Sequence, residues 1–183
     1  QLCTQGKFRN AGQVCISPTR FFIEESIHDQ FLKAFKKHVE AVNIGNGLDA
    51  GVSMGPLVAD RRLDIMEGFV SNAVSEGAEL LVGGERVQSS GSFYQPTLLA
   101  NVPDTAQIMT EEPFGPLAPT TTFASLDEVI DRANSLPFGL AAYAFTGSPK
   151  TAGVLKTEIE SGMLALNSLH IHSVETPFGG LKN

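Results

Sequence analysis

Two cysteines, four histidines and a few acids ringed by glycine and proline are the residues in this chain that could do chemistry. Cys15 follows Asn10-Ala11-Gly12-Gln13-Val14, a small and amide-rich approach, and precedes Ile16-Ser17-Pro18. A cysteine attacks as its thiolate, which needs access, nearby backbone N–H groups and something to hold its charge. A loop of glycine and amide residues supplies the first two. By residue type alone an inert, buried cysteine is the commoner case, so both readings stand at this point. Cys3 lies in a helix-like stretch and reads as packing.

A second island is Glu111-Glu112-Pro113-Phe114-Gly115-Pro116. Two prolines around a glycine fix an irregular backbone, and such a turn can hold a carboxylate for hydrogen bonds to sugar hydroxyls. By residue type alone a stiff loop with solvated acids is the commoner case. A third, Thr176-Pro177-Phe178-Gly179-Gly180, comes after an apolar strand and the polar run from Asn167 to Ser173. Loops in that place often meet ligands in an open α/β sheet, although this one alone is only a turn.

Two other features point elsewhere on first inspection. His170 and His172 would face the same way on a strand, with Glu175 following, but no second His or Cys cluster supports a metal, and the expectation is none. His28 and His38 fall among polar neighbours on a helix and read as surface groups. Gly45-Asn46-Gly47-Leu48-Asp49-Ala50 fits a relaxed dinucleotide pattern. That motif works only between a strand and a helix, where helix N–H groups meet a pyrophosphate. Here it follows a helix and runs into Gly51-Val52-Ser53-Met54-Gly55-Pro56, so a connecting loop is the better reading. No Walker A pattern is present, and the chain carries no recognisable phosphate cradle of its own.

The elements that must position these islands are legible from period and caps. Ser26 caps a predicted helix reaching about residue 42, with Ile27, Phe31, Phe35, Val39 and Val42 on one face. A second helix spans about 60–76, carries Leu63, Met66, Phe69, Val70, Ala73 and Val74, and has Gly77 at its C′ position. Ser125 and Glu128 form a capping box for a third helix, stopped by Pro137 and Gly139. Ser148 followed by Pro149 opens a fourth, with Gly162 expected to end it. Between them, the segments 19–23, 79–82, 97–100, 117–123, 140–145 and 163–167 read as strands, and 87–95 as a polar excursion or hairpin. The strands are mostly apolar, as in sheets covered on both faces. Alternating strand and helix signals predict an α/β fold with a largely parallel sheet flanked by helices.

Composition narrows the classes of function. Thirteen basic and twenty acidic residues leave a net charge of −7, so nucleic acid and anionic membranes are poor partners. The longest apolar runs fall short of the roughly 18 residues a bilayer-spanning helix needs. Two cysteines exclude a disulfide framework and favour a reducing compartment, hence a cytoplasmic location. A start at Gln1, without initiator methionine or signal-like segment, reads as a cut from something longer.

Taken together, in order and at these distances, the islands resemble the catalytic domain of the aldehyde dehydrogenase superfamily. The matching segments are Asn10-Ala11-Gly12-Gln13-Val14-Cys15, Met54-Gly55-Pro56-Leu57, Glu112-Pro113-Phe114-Gly115-Pro116, Pro137-Phe138-Gly139-Leu140 and Pro177-Phe178-Gly179-Gly180. The likeness covers essentially the whole chain. It implies that Cys15 is the nucleophile that attacks an aldehyde, with its backbone N–H as an oxyanion donor. It further implies that Glu112 hydrogen-bonds the nicotinamide ribose of NAD or NADP, with Phe114 close by. The segment from Asn167 to Phe178 would wall the aldehyde funnel.

Lys7-Phe8-Arg9-Asn10-Ala11-Gly12-Gln13 is similar to the succinate semialdehyde dehydrogenase branch, which carries an arginine six residues before the nucleophile and a serine shortly before Pro-Phe-Gly-Gly. By that resemblance Arg9 and Ser173 would hold a distal carboxylate, the first with a planar fork and the second with a hydroxyl. A plain surface charge is the other reading of Arg9. Glutarate and 2-oxoglutarate semialdehydes are rival substrates within the family. A thiol hydrolase would instead need a histidine partner for Cys15, and a structural piece without chemistry is a further class. Family members carry a cofactor domain, a glutamate base and an oxyanion asparagine upstream of the nucleophile, and a C-terminal segment that pairs with a neighbouring subunit. None of these is in the chain. The resemblance therefore implies a catalytic-domain fragment of a homo-oligomeric enzyme. Alone it would be inactive, weak in NAD(P) affinity and left with exposed apolar surface.

Overall fold

The computed structural model describes residues 1–87 and 91–182. The chain divides into two compact units, one built on Cys3–Thr122 and the other on Phe123–Asn183. The division falls at the end of a strand, with no linker.

In the first unit, α1 (Leu2–Phe8) leads through a short 3-10 turn, Arg9–Gly12, to β1 (Phe21–Glu24) and α2 (His28–Glu40). Then follow α3 (Arg61–Ser75), β2 (Glu79–Val82), β3 (Thr97–Ala100), the single turn α4 (Gln107–Thr110) and β4 (Leu117–Phe123). The strands lie in the order β1-β4-β3-β2. β3 pairs with β4 in parallel, Thr97 opposite Leu117, and antiparallel with β2 at the edge, Glu79 opposite Ala100. Every residue of β3 is buried, as an apolar strand covered on both faces must be.

The core gathers where the predicted helix faces meet the sheet. Phe35 and Val39 of α2 and Leu63, Met66, Phe69, Val70 and Ala73 of α3 are buried with Leu98, Leu99 and Leu117. Phe35 stacks at a tilt on Phe21, ring centroids 5.3 Å apart, and meets Phe31 edge-on at 5.4 Å. Each such aromatic pair adds about 1 kcal/mol beyond its area. Gly77 takes the positive φ, +107°, that lets the chain leave α3. The Ala78 N–H donates to the Ala73 carbonyl and the Gly77 N–H to Val74, closing the helix end as expected.

Several details correct the sequence reading. Ser26 does not cap α2. It lies in a 3-10 turn, Glu25–Ile27, and its hydroxyl donates to the Glu24 carboxylate, so α2 starts two residues later without a side-chain cap. Ile27 belongs to that turn and is exposed rather than on the core face, and Val74 is exposed on the outer side of α3. His28 is no surface group: its side chain is only 13% exposed, with Nδ1 3.1 Å from the Asp29 carboxylate. Residues 88–90 lie outside the described residues. The segments flanking them form the hairpin alternative, an antiparallel bridge joining Arg86 to Tyr94.

The second unit holds α5 (Leu126–Asn134), β5 (Ala141–Ala144), α6 (Pro149–Glu158) and β6 (Met163–Leu166). β5 and β6 are parallel, Ala141 opposite Met163. The Ser125 hydroxyl accepts the Glu128 N–H at 3.2 Å, and the Glu128 carboxylate accepts the Ala124 N–H at 2.9 Å, so the box closes one residue further out than the standard form. Ser148 caps α6 by accepting the Thr151 N–H, with Pro149 in the first helical position. Gly162 does not end α6, which stops at Glu158. A Cβ at residue 162 would sit 1.8 Å from the Gly179 carbonyl oxygen, so the glycine is there for a chain crossing.

Candidate active site

The loop that carries Cys15 has an uncommon backbone. Asn10, Ala11 and Gly12 run consecutively through the left-handed region, with φ of 51°, 53° and 70°. For Asn10 and Ala11 this is a strained choice, held only when surrounding structure dictates it. Three sources of that constraint are visible. The Asn10 side-chain amide donates to the Gln13 carbonyl at 3.0 Å, and the Gln13 amide donates back to the Asn10 carbonyl at 3.1 Å. The Gln13 amide also donates to the Pro56 carbonyl and accepts the Val58 N–H at 2.9 Å. Gly12 packs so closely that a Cβ there would lie 2.1 Å from the Gly115 carbonyl oxygen. The loop thus ends in a turn at Cys15, which is exposed, and the Ser17 N–H closes back on the Val14 carbonyl at 2.8 Å.

The Gly12 contact brings two of the predicted islands together, because Gly115 belongs to the turn that follows Glu112. That turn is braced from below. Arg62 on α3 donates to the carbonyls of Pro113 and Phe114, and a Cβ on Gly115 would meet the Met66 sulfur at 2.1 Å. Phe114 is itself left-handed, φ 44°, and 37% exposed. The Glu112 carboxylate is exposed and has no hydrogen-bond partner among the described residues. A free acceptor pair beside an exposed aromatic face fits the hydroxyls of a ribose with a flat ring next to it. Arg9, at the C-terminal end of α1, is also exposed and forms no ion pair among the described residues.

In the first unit no imidazole hydrogen-bonds the Cys15 sulfur among the described residues; His28 is engaged with Asp29 on α2. The partner a thiol hydrolase needs is not supplied there. Cys3 packs against the core as expected, and burial pushes its thiol pKa up. The Gly45–Ala50 run lies after α2, inside the loop that the Ile44–Met54 bridge closes, a connecting loop with no helix at its end.

Ser173 and Phe178 lie in the second unit, in the exposed stretch after β6. Asn167, φ 56°, ties the strand end down: its side chain accepts the Thr146 N–H at 2.8 Å and donates to the Thr146 carbonyl at 2.9 Å. Ser173 sits in a turn with Thr176, their hydroxyls 3.4 Å apart, and contact with Ser173 holds the Glu175 carboxyl below its usual range. His170 and His172 stack at 5.8 Å, and His172 meets Phe178 edge-on at 6.5 Å. Among the described residues no three His, Cys, Asp or Glu side chains gather as a metal site.

Three residues in or against these loops have placements that the sequence reading did not foresee. Gln13 was visible as part of an amide-rich approach, but its link to the Met54-Gly55-Pro56-Leu57 segment, 43 residues on, is not a local signal. Arg62 reaches a turn 51 residues away. Lys7 is completely buried, which nothing in its neighbours foretells.

Comparison with known proteins agrees with this geometry. The model of the aldehyde dehydrogenase family matches residues 1–183. The chain is 42% identical over 182 residues to 4-(hydroxymethyl)benzenesulfonate dehydrogenase TsaD1 of Comamonas testosteroni, covering 100% of this chain and 38% of that protein. It is 41% identical over 177 residues to the mitochondrial succinate-semialdehyde dehydrogenase of Mus musculus, covering 96% of this chain and 34% of the relative. Among solved structures, succinate-semialdehyde dehydrogenase from Burkholderia pseudomallei superposes with a TM-score of 0.96 at 34% identity, over 98% of this chain and 37% of that one. The chain therefore spans somewhat over a third of the length of these relatives. No helix among the described residues is long and apolar enough to cross a membrane. With a family match along residues 1–183, its fold and its paired loops, the chain belongs to the aldehyde dehydrogenase family.

Proposed function

We propose that this chain supplies the nucleophile-bearing part of an NAD(P)-dependent enzyme that oxidises an aldehyde to its acid, with succinate semialdehyde as favoured substrate. The observation that carries the reading is the back-to-back packing of the strained Asn10–Cys15 loop on the Glu112 turn. It presents an exposed thiol and an exposed carboxylate from one rigid support. Strain held in place by neighbours is a common mark of a preorganised site.

Cys15 attacks the aldehyde carbon as thiolate, forming a thiohemiacetal whose oxyanion faces the Cys15 N–H, a group with no backbone acceptor among the described residues. Bound NAD(P) supplies the hydride acceptor. Glu112 accepts the ribose hydroxyls and Phe114 limits where the ring can lie. With the hydride passed to that cofactor, Cys15 would be left as a thioester, which water would cleave to release the acid and restore the thiol. Arg9 pairs with a distal anionic group, and the family resemblance assigns Ser173 and Phe178 to substrate binding in the complete enzyme. Such an enzyme acts as a homo-oligomer in the cytoplasm, and this chain is its catalytic-domain portion, inactive without the cofactor domain.

An aromatic substrate with a sulfonate is the second reading, favoured by the 42% identity to a 4-(hydroxymethyl)benzenesulfonate dehydrogenase. Both readings put a negative charge on the substrate for Arg9. A panel assay on the full-length enzyme separates them, with succinate, glutarate and 2-oxoglutarate semialdehydes against 4-formylbenzenesulfonate. Cys15→Ser should abolish acylation with every substrate, and retained turnover would dismiss the nucleophile. Arg9→Ala should raise KM for the anionic aldehyde by about tenfold or more while leaving an uncharged aldehyde of similar length nearly unchanged. Equal effects on both would remove the anchor.

A further inference from the structure

The turn that carries Glu112 is anchored unevenly. On its downstream side the Gly115 carbonyl accepts the Leu117 N–H at 2.9 Å and the Pro116 carbonyl accepts the Thr97 N–H at 2.9 Å, so that half belongs to β3 and β4. On its upstream side the Glu111 N–H donates to the Gln107 carbonyl, and the Gln107 side chain holds the Glu111 carboxylate at 2.9 Å. Between these anchors lie Glu112, Pro113 and Phe114. Among the described residues their backbone makes two hydrogen bonds, and both come from Arg62.

Arg62 stands in the first turn of α3. Its Nη2 donates to the Pro113 carbonyl and, at 3.2 Å, to the Phe114 carbonyl. That nitrogen carries two protons, one for each oxygen. Successive carbonyls of an extended chain point to opposite sides, so a single donor reaches both only where the backbone is turned. Phe114 supplies the turn with a φ of 44°, which a bulky residue holds only under constraint. Pro113 is buried, and a buried carbonyl left without a donor is costly. One helical turn further along α3, Met66 fills the space against Gly115. Met66 therefore sets how close the turn comes to the helix, and the guanidinium sets how it is twisted.

We infer that Arg62 is the positioning residue of the Glu112 turn. By gripping two successive carbonyls it keeps Phe114 left-handed, and so fixes where the Glu112 carboxylate and the Phe114 ring stand before a nicotinamide ribose arrives. This rests on the reading of Glu112 as the ribose acceptor. Without the grip, the segment from Glu112 to Phe114 relaxes to ordinary backbone, and cofactor binding must first restore it. The Cys15 loop is spared. Its contact runs from Gly12 to Gly115, and the Gly115 carbonyl keeps its own donor from β4.

The test uses the full-length enzyme and reads two quantities. One is the dissociation constant of NAD+ or NADP+, whichever binds; the other is the rate at which the Cys15 thiol reacts with a disulfide reagent without cofactor. Arg62→Met keeps an apolar stem but no donor, and should weaken the cofactor roughly tenfold while the thiol rate stays within about twofold of native. Glu112→Ala should weaken the cofactor by a similar factor. Adding Arg62→Met to it should weaken binding less than about twofold further, because Arg62 acts through the Glu112 turn. Native affinity in Arg62→Met overturns the proposal, as do losses that multiply in full in the double variant. A thiol rate that falls in step with affinity also overturns it, by making Arg62 a general brace of the fold. Should Arg62→Met fail to fold, Arg62→Gln, a shorter polar side chain, is read on the same two scales. If Glu112→Ala is weak while Arg62→Met binds normally, the ribose reading stands and only the role of Arg62 falls. If Glu112→Ala binds like the native enzyme, the ribose reading fails and takes the proposal with it.

Discussion

Each unit passes one loop tightly across another at a glycine and sets a lysine beside the crossing, but the two lysines are treated in opposite ways. In the second unit Gly162 meets the Gly179 carbonyl, and the Gly139 carbonyl accepts the N–H groups of both Gly162 and Leu181. Lys182 then donates to the carbonyls of Asn134 and Leu136 at 2.6 and 3.0 Å and pairs with Glu160 at 2.7 Å. Every proton on that ammonium has an acceptor, and the group works as a clamp. In the first unit Gly12 meets Gly115, and the buried Lys7 ammonium has no hydrogen-bond partner among the described residues. A clamp stabilises by being satisfied, whereas an unsatisfied buried charge destabilises. The two crossings therefore differ in kind, one held by a satisfied lysine and the other carrying an unsatisfied one.

The sharpest way to break that comparison is to alter the first crossing itself. Gly12→Ala places a Cβ into the Gly115 carbonyl at a residue whose φ is +70°, so neither the backbone nor its neighbour can yield cheaply. The expected loss is about 3 kcal/mol or more, from overpacking and left-handed strain together. Thermal unfolding of the full-length enzyme would show it. The Cys15 thiol should also change its rate of reaction with a disulfide reagent, because the loop can no longer sit on the Glu112 turn. An unchanged melting temperature and an unchanged thiol rate would mean that the two loops are not mechanically joined.

How much of this was legible beforehand depended on how local each cause is. The faces of α2 and α3, the Gly77 exit, the Ser125 and Ser148 caps and the buried run of β3 follow from spacing within a dozen residues, and the sequence carries them openly. Ser26 misled because a serine before an amphipathic run looks like a cap whether or not a 3-10 turn intervenes. Gly162 misled for a similar reason. A glycine after a helix reads as its stop, while the carbonyl that needs the space belongs to Gly179. In the site, Cys15 and Glu112 were visible as residue types in odd surroundings, and Arg9 only through the family resemblance. The parts that hold them, Gln13 on Pro56 and Arg62 on Pro113, act across 43 and 51 residues, and no window of sequence shows such a contact.

The second unit offers a smaller, opposite test. Lys182→Met removes the clamp and leaves two carbonyls and the Glu160 carboxylate without their donor. Because the lysine side chain is 18% and the Glu160 side chain 58% exposed, solvent recovers part of the loss. A destabilisation of about 1–2 kcal/mol is expected, seen as faster amide exchange in the segments around Asn134 and Gly162. No change in exchange there would show that the three contacts contribute nothing measurable, and the contrast between the lysines would lose one side.

Lys7→Met should move stability the other way. The folded chain holds Lys7 near 7 while an unfolded lysine titrates near 10.5, so between those values the unfolded state binds more protons. Stability from this group therefore rises with pH across that window, and the full penalty applies below about 7. Replacing the ammonium by an isosteric apolar chain removes the penalty, so the variant should be more stable than the native protein at pH 6, by about 1 kcal/mol once relaxation and the lost Glu112 attraction are allowed for. The gap should close as pH approaches 10, where the native lysine is neutral in the folded state. Denaturant unfolding of both proteins at pH 6, 8 and 10 reads this directly. A variant less stable than the native protein at pH 6 would mean that Lys7 is a satisfied clamp like Lys182, and the two crossings would then not differ in kind.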